Sequence, residues 1–214
     1  MKKNYLISTG GSGGHVIPAI ILHEHLSQEA NIIFSIDKRG LKFIDKNFFS
    51  IEIVNTPKLN NIFLFPLNSL VILFLTIKSL IILKKRKINK IFSTGGYMSL
   101  PLIFAGKILN LDVFLIEPNL VLGRANKFFL NSCKKIFCYT DQIKNFPKKF
   151  KDKMIIIKPL VRRHFYKFVP SLKEKNRFNI LVVGGSQGAS IFDKDLKNII
   201  LNISKKNLFK IFQQ

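Results

Sequence analysis

Three glycine-rich turns constrain this chain more than any other feature. Each follows a short apolar run and precedes a stretch with helical periodicity. They are Ser8-Thr9-Gly10-Gly11-Ser12-Gly13-Gly14-His15, Ser93-Thr94-Gly95-Gly96-Tyr97 and Gly184-Gly185-Ser186-Gln187-Gly188. Glycine there allows positive φ and close approach of a ligand to the backbone. The helix start behind each turn offers free N–H groups and a partial positive charge, which suit phosphate or an oxyanion. In open α/β sheets, ligands bind at the carboxyl ends of the strands, where such turns lie.

The surrounding pattern agrees. Strands are expected at Tyr5 to Ser8, Asn31 to Ile36, Ser50 to Val54, Lys90 to Ser93, Asp112 to Ile116, Lys134 to Tyr139 and Lys153 to Ile157. Helices are expected at His15 to Gln28, Phe65 to Lys87 with a break near Asn68, Ser99 to Leu109 and Asn119 to Asn131. Strands alternating with helices imply βαβ units and a doubly wound parallel sheet of the α/β class. The strands are continuous apolar runs, as when both faces are covered. Residues 1–158 form the first Rossmann-like domain on this reading. A basic, Pro-containing stretch, 159–178, reads as a linker. Residues 179–214 supply one strand, one helix and the start of a second strand, the opening of a further domain.

Charge narrows the partners. The chain has 214 residues and a formal net charge of +23, with 47% hydrophobic residues. The hydrophobic content excludes wholesale disorder. The excess of lysine reflects in part the usage of an AT-rich coding sequence and otherwise favours anionic partners. Aromatic residues do not interleave with the basic runs as base-stacking surfaces would, so no nucleic-acid partner is expected. The two cysteines, Cys133 and Cys138, make no disulfide scaffold, and no second Cys/His pair completes a zinc site. No metal and no cofactor are expected.

One apolar segment bears on membranes. Leu59 to Ile77 carries no charge, but Asn60, Asn61, Pro66 and Asn68 interrupt it and Lys78 closes it. A buried or membrane-surface helix fits this better than a spanning one. In the surface reading, Leu64, Val71, Phe74 and Leu75 dip into the headgroup boundary while Lys84 and Lys85 meet anionic lipid. In the other reading these apolar residues are core.

The chemistry-bearing residue of the first turn is His15, which stands where a dinucleotide fingerprint would place a third glycine. An imidazole at the tip of a ligand-type turn can accept a proton near neutral pH. His23 and His25 read as surface residues, and His164 falls in the linker. No G-x-x-x-x-G-K-[ST] motif occurs, so a P-loop is unsupported.

Five motifs in order resemble the MurG family of glycosyltransferases, glycosyltransferase family 28. The first is Thr9 to Ala19, around the first turn. The second is Gly95-Gly96-Tyr97-Met98-Ser99-Leu100-Pro101. The third is Glu117-Pro118-Asn119 with Gly123 and Asn126, where Ile116 and Pro118 replace the family histidine and glutamine. Val161-Arg162-Arg163 and Val182 to Ala189 complete the set. The resemblance implies a GT-B fold, with an acceptor- and membrane-binding first domain and a UDP-sugar-binding second one. It implies inverting transfer of N-acetylglucosamine from UDP-N-acetylglucosamine to the C4 hydroxyl of undecaprenyl-pyrophosphoryl-N-acetylmuramoyl-pentapeptide, lipid I to lipid II. The place would be the cytoplasmic face of the bacterial membrane, peripherally, alongside other cell-wall synthesis proteins.

Carried over by position, Ser12, Gly13, Gly14, Asn119, Arg162, Ser186, Gln187 and Gly188 are substrate-binding candidates, mainly for the donor. Tyr97 is an acceptor-side candidate, and His15 and Glu117 are the catalytic candidates. The family's uridine- and ribose-binding segments would lie beyond Gln214. A non-catalytic Rossmann-like module, binding a lipid pyrophosphate or a partner protein, is the alternative to an enzyme.

Overall fold

In a computed structural model, residues 2–57, 65–167, 178–183, 196–204 and 209–213 are described. The chain divides into two compact units, Met1–Tyr166 and Lys167–Gln214.

The first unit is built on a seven-stranded sheet in the order β3-β2-β1-β4-β5-β6-β7. Its strands are β1 (Lys3–Thr9), β2 (Ala30–Ile36), β3 (Ser50–Ile53), β4 (Ile88–Ser93), β5 (Asp112–Glu117), β6 (Lys135–Cys138) and β7 (Met154–Ile156). All neighbours pair in parallel. The doubly wound sheet is the expected one. Its strand order reverses between β1 and β4, which opens a crevice at their carboxyl ends. The first and second glycine turns both border that crevice.

Helix α1 (Gly13–Leu26) joins β1 to β2 and covers one face of the sheet. There Val16, Ala19 and Ile20 pack with Ile7, Phe34 and Ile36. Helices α2 (Phe65–Lys85) and α3 (Leu100–Ile108) cover the other face. Leu75, Ile82 and Leu83 of α2 meet Leu102 and Ile103 of α3 over Leu6, Ile91 and Leu115. Gly106 lets α3 press onto the sheet, since a Cβ there would run into Ile91. Beyond α3 the chain reverses through Asn110, at φ 55°. The Leu111 amide bonds to the Gly106 carbonyl at 2.8 Å, a Schellman-type closure.

Several expectations are corrected. Helix α2 runs unbroken through Asn68, which is buried. Pro66 falls in its first turn, where a missing N–H costs nothing. The helix expected from Asn119 is confined to α4 (Arg124–Phe129), because residues 119–123 wrap around the Glu117 carboxylate instead. His23 and His25 are half-buried. His23 packs against the rings of Phe34 and Phe49, at 5.6 and 4.9 Å between centroids. His25 reaches the Val161 carbonyl at 3.1 Å. Leu75, expected on the membrane-facing set, is 8% exposed and belongs to the core, whereas Phe74 is 67% exposed. Leu64 lies outside the described residues.

In the second unit, β8 (Phe178–Val182) and β9 (Phe209–Gln213) pair in parallel, and α5 spans Lys197–Ser204.

Candidate functional site

The two turns at the crevice share the sequence Ser-Thr-Gly-Gly, and the Ser-Thr pairs prove to be structural. Ser8, Thr9, Ser93, Thr94 and Ser99 are all buried. The Ser8 and Ser93 hydroxyls donate to Ser99 Oγ at 3.1 and 2.8 Å, and Thr94 Oγ1 donates to Thr9 Oγ1 at 2.8 Å. This hydroxyl network ties the ends of β1 and β4 together beneath the glycines. Buried hydroxyls satisfied by one another fix a geometry, because any slippage would strand one of them without a partner.

The network places His15 opposite the second turn. His15 sits in the first turn of α1, and its Nδ1 lies 2.7 Å from the Thr94 carbonyl oxygen. A carbonyl only accepts, so Nδ1 carries the proton. In the neutral imidazole Nε2 then holds the free lone pair. Gly96 is needed where the second turn approaches. Its φ is 85°, and a Cβ there would collide with the Met98 side chain.

Glu117, at the end of β5, is 2% exposed and saturated with donors. One carboxylate oxygen accepts from the Asn119 amide at 3.2 Å and its side chain at 3.0 Å. The other accepts from the Gly123 amide at 2.7 Å and the Asn126 side chain at 3.0 Å. No lone pair remains directed at a substrate hydroxyl. The carboxylate instead shapes the loop that carries Asn119 and orients Asn126.

Asn126 also donates to the Ile116 carbonyl at 3.1 Å, which leaves its Oδ1 buried without a partner. The Tyr97 hydroxyl is likewise buried and unpaired. Both residues, with His15, Glu117 and Asn119, line a groove of about 1110 Å³. That groove continues between α2, α3 and α4 along Leu73, Phe104 and Phe128, with Lys107 and Arg124 at its edge.

On the other side of the first turn, Asp37 Oδ1 accepts from the Gly11 and Gly40 amides at 2.8 and 3.0 Å. Arg39 closes this arrangement. It forms an ion pair with Asp37 and lies over the Tyr97 ring, 5.0 Å from its centroid. The position of Asp37, at the end of β2, is one where dinucleotide folds hold ribose. Here its carboxylate is committed to the turn and to Arg39.

The remaining sequence candidates are dispersed. Ser12 and Gly14 are exposed at the start of α1, and Gly13 is buried under Phe43. Arg162 is exposed, with its guanidinium 3.8 Å from Glu24 near the far end of α1, and does not line the groove. Ser186, Gln187 and Gly188 lie outside the described residues. Sequence reasoning missed Arg39, Asp37 and Arg124, and it gave Asn126 no role of its own. For Asn126 the spacing Glu117-x8-Asn126 carried the signal. For Asp37 the signal was an acidic residue directly after the second expected strand; nothing local marked Arg39 or Arg124.

Comparison with known proteins places this geometry. Residues 5–138 match the glycosyltransferase family 28 N-terminal domain. A Pelagibacter ubique protein is 48% identical over 215 residues, covering 100% of this chain and 60% of its own length. A Rickettsia canadensis protein is 34% identical, covering 99% of the chain and 60% of its own. Both are called UDP-N-acetylglucosamine--N-acetylmuramyl-(pentapeptide) pyrophosphoryl-undecaprenol N-acetylglucosamine transferase. The chain thus spans about three-fifths of the length of these curated relatives. Among solved structures, Acinetobacter baumannii MurG superposes with a TM-score of 0.73 at 22% identity, over 99% of this chain and 60% of that one. That likeness shows a Rossmann-like sheet of the kind found in a GT-B N-terminal domain, followed by the start of the C-terminal domain. With the family match covering residues 5–138, the chain belongs to glycosyltransferase family 28.

Proposed function

We propose that this chain is the acceptor-binding half of an inverting N-acetylglucosaminyltransferase. The reaction would move N-acetylglucosamine from UDP-N-acetylglucosamine to the C4 hydroxyl of lipid I, giving lipid II. The observation that carries this reading is the His15–Thr94 hydrogen bond, which leaves Nε2 as a proton acceptor in the groove. The hydroxyl oxygen forms a bond to the anomeric carbon as the bond from that carbon to the UDP oxygen breaks, and the hydroxyl proton passes to Nε2. Asn126 Oδ1 and the Tyr97 hydroxyl are placed to hold sugar or peptide hydroxyl and amide groups. Glu117 acts through the loop it organises. Ser12, Gly14 and Asn119 are proposed to contact the donor from the first unit, and residues 179–214, with Ser186, Gln187 and Gly188, to open the donor domain; Arg162, paired with Glu24 near the far end of α1, is not among these contacts.

The same reading puts the protein peripherally on the cytoplasmic face of the membrane. Among the described residues one helix, Pro66–Lys85, is long and apolar enough to cross a bilayer. Its Leu75, Ser79, Ile82 and Leu83 are nevertheless buried in the domain core, and spanning would strip them from it. Exposed Leu70, Phe74, Ile77 and Ile81 with Lys84 and Lys85 fit a surface contact.

The test is transfer of labelled N-acetylglucosamine to lipid I, using this chain joined to the remainder of the Pelagibacter ubique relative. Lipid II formation that depends on His15 supports the proposal. Binding of lipid I without transfer would favour the non-catalytic module instead.

A further inference from the structure

Helix α2 presents two separate surfaces besides its core face. At ~100° per residue, Ser69, Ile72, Leu73 and Thr76 fall on one stripe, and these are its groove-lining residues. Leu67, Leu70, Phe74, Ile77 and Ile81 fall on another stripe, about a third of a turn away, and are exposed outside the groove. A bilayer that meets the outer stripe leaves the groove stripe unfilled.

The groove itself is amphiphilic along its length. On α3 it is lined by Leu100, Phe104 and Ile108, a run of about 12 Å at 1.5 Å per residue. Phe128 of α4 forms another wall, with its ring against Phe104 at 6.1 Å. At the glycine-turn end stand His15, the unpaired Asn126 Oδ1 and Arg124. Among the described residues Arg124 and Lys107 have no ion-pair partner, and the one carboxylate lining the groove, Glu117, is fully hydrogen-bonded.

We infer that this groove holds the first isoprene units of a polyprenyl pyrophosphate, drawing the chain out of the bilayer and setting its head group beside His15. The inference rests on the acceptor class proposed above. The occupant follows from the make-up of this one cavity, in which Leu73, Leu100, Phe104, Ile108 and Phe128 share a lining with His15, Arg124 and the unpaired Asn126 Oδ1. The relatives' names supply a molecule of that make-up, a pyrophosphoryl-undecaprenol. A peptide would leave its backbone groups unpaired along Leu73, Phe104 and Ile108, and a soluble sugar nucleotide would leave the trough empty.

The experiment uses the full chain without membranes or detergent. Calorimetry compares farnesyl pyrophosphate, inorganic pyrophosphate and farnesol. Burial of the short prenyl chain should make farnesyl pyrophosphate bind on the order of 10- to 100-fold tighter than pyrophosphate, after the cost of ordering it. Leu73→Asp and Ile108→Asp, both at exposed positions the fold tolerates, should remove most of that gain. Phe74→Asp, on the outer stripe, should keep it and instead lose binding to vesicles of anionic phospholipid. Circular dichroism checks that each variant is folded. Equal affinity for farnesyl pyrophosphate and pyrophosphate, or equal losses from Leu73→Asp and Phe74→Asp, overturns the assignment. Either result leaves the transferase reading intact, since lipid II formation is measured separately.

Discussion

The Nδ1 of His15 lies 2.7 Å from the carbonyl oxygen of Thr94, a residue 79 positions further along the chain. One contact thereby joins the helix after β1 to the turn after β4 across the reversal in strand order. It also selects the imidazole tautomer, which is what a proton acceptor at this place requires.

From this contact, His15→Ala should lower transfer by roughly 10²–10⁴-fold in the fused enzyme. His15→Asn can still donate to Thr94 but offers no imidazole lone pair, so it should fall nearly as far. Steady-state rates with both variants check this. Near wild-type turnover in His15→Asn would assign His15 to holding the turns together.

Glu117→Gln should behave as a loss of order rather than loss of a base. An amide NH2 would face backbone or side-chain donors that now meet a carboxylate oxygen. A destabilisation of about 1–3 kcal/mol is expected from such a mismatch. Urea unfolding measures it. With Glu117 as the base, turnover would collapse while the unfolding midpoint stayed put.

Gly96→Ala strains the second turn. Alanine at φ 85° is disfavoured, and its Cβ meets Met98. A cost of about 1–3 kcal/mol follows. Met98→Ala in the same background should recover only the steric part. Thermal unfolding of the single and double variants separates the two contributions.

His23 gives the fold a pH dependence of known sign. Burial against Phe34 and Phe49 lowers its pKa below 6.5, with Glu24 opposing through its charge. The unfolded chain therefore binds that proton more readily. The stability involved is present above about 6.5 and is lost as pH falls through the folded value. His23→Phe should flatten this part of the curve, read as urea midpoints at about pH 5 and about pH 8.

Cys138 should be inert. Burial raises its thiol pKa to about 12, with the Glu117 charge acting in the same direction, and burial raises Cys133 as well. The thiolate is the reactive form, so both cysteines should resist alkylation in native protein and react on unfolding. Rapid labelling of the native state, followed by mass spectrometry, would contradict this.

The order of strands and helices around the glycine turns was legible in the chain because each is a local pattern. Apolar runs, helical spacing and glycines after a strand all lie within a few residues of one another, and that sufficed for the doubly wound sheet and for singling out His15. The residues of α2 show where locality ends. Leu75 and Phe74 are adjacent and similarly apolar, yet one is core and the other exposed, because their helix packs on α3 along one side only. Glu117 is a second instance. Its motif marked it as important, but only the return of the chain at Gly123 and Asn126 brings the donors that occupy its second carboxylate oxygen. Pairings such as Thr94 with His15, or Arg39 with Tyr97, join segments brought together by the sheet order. Tertiary packing decided them, because no sequence neighbour of either partner carries the information.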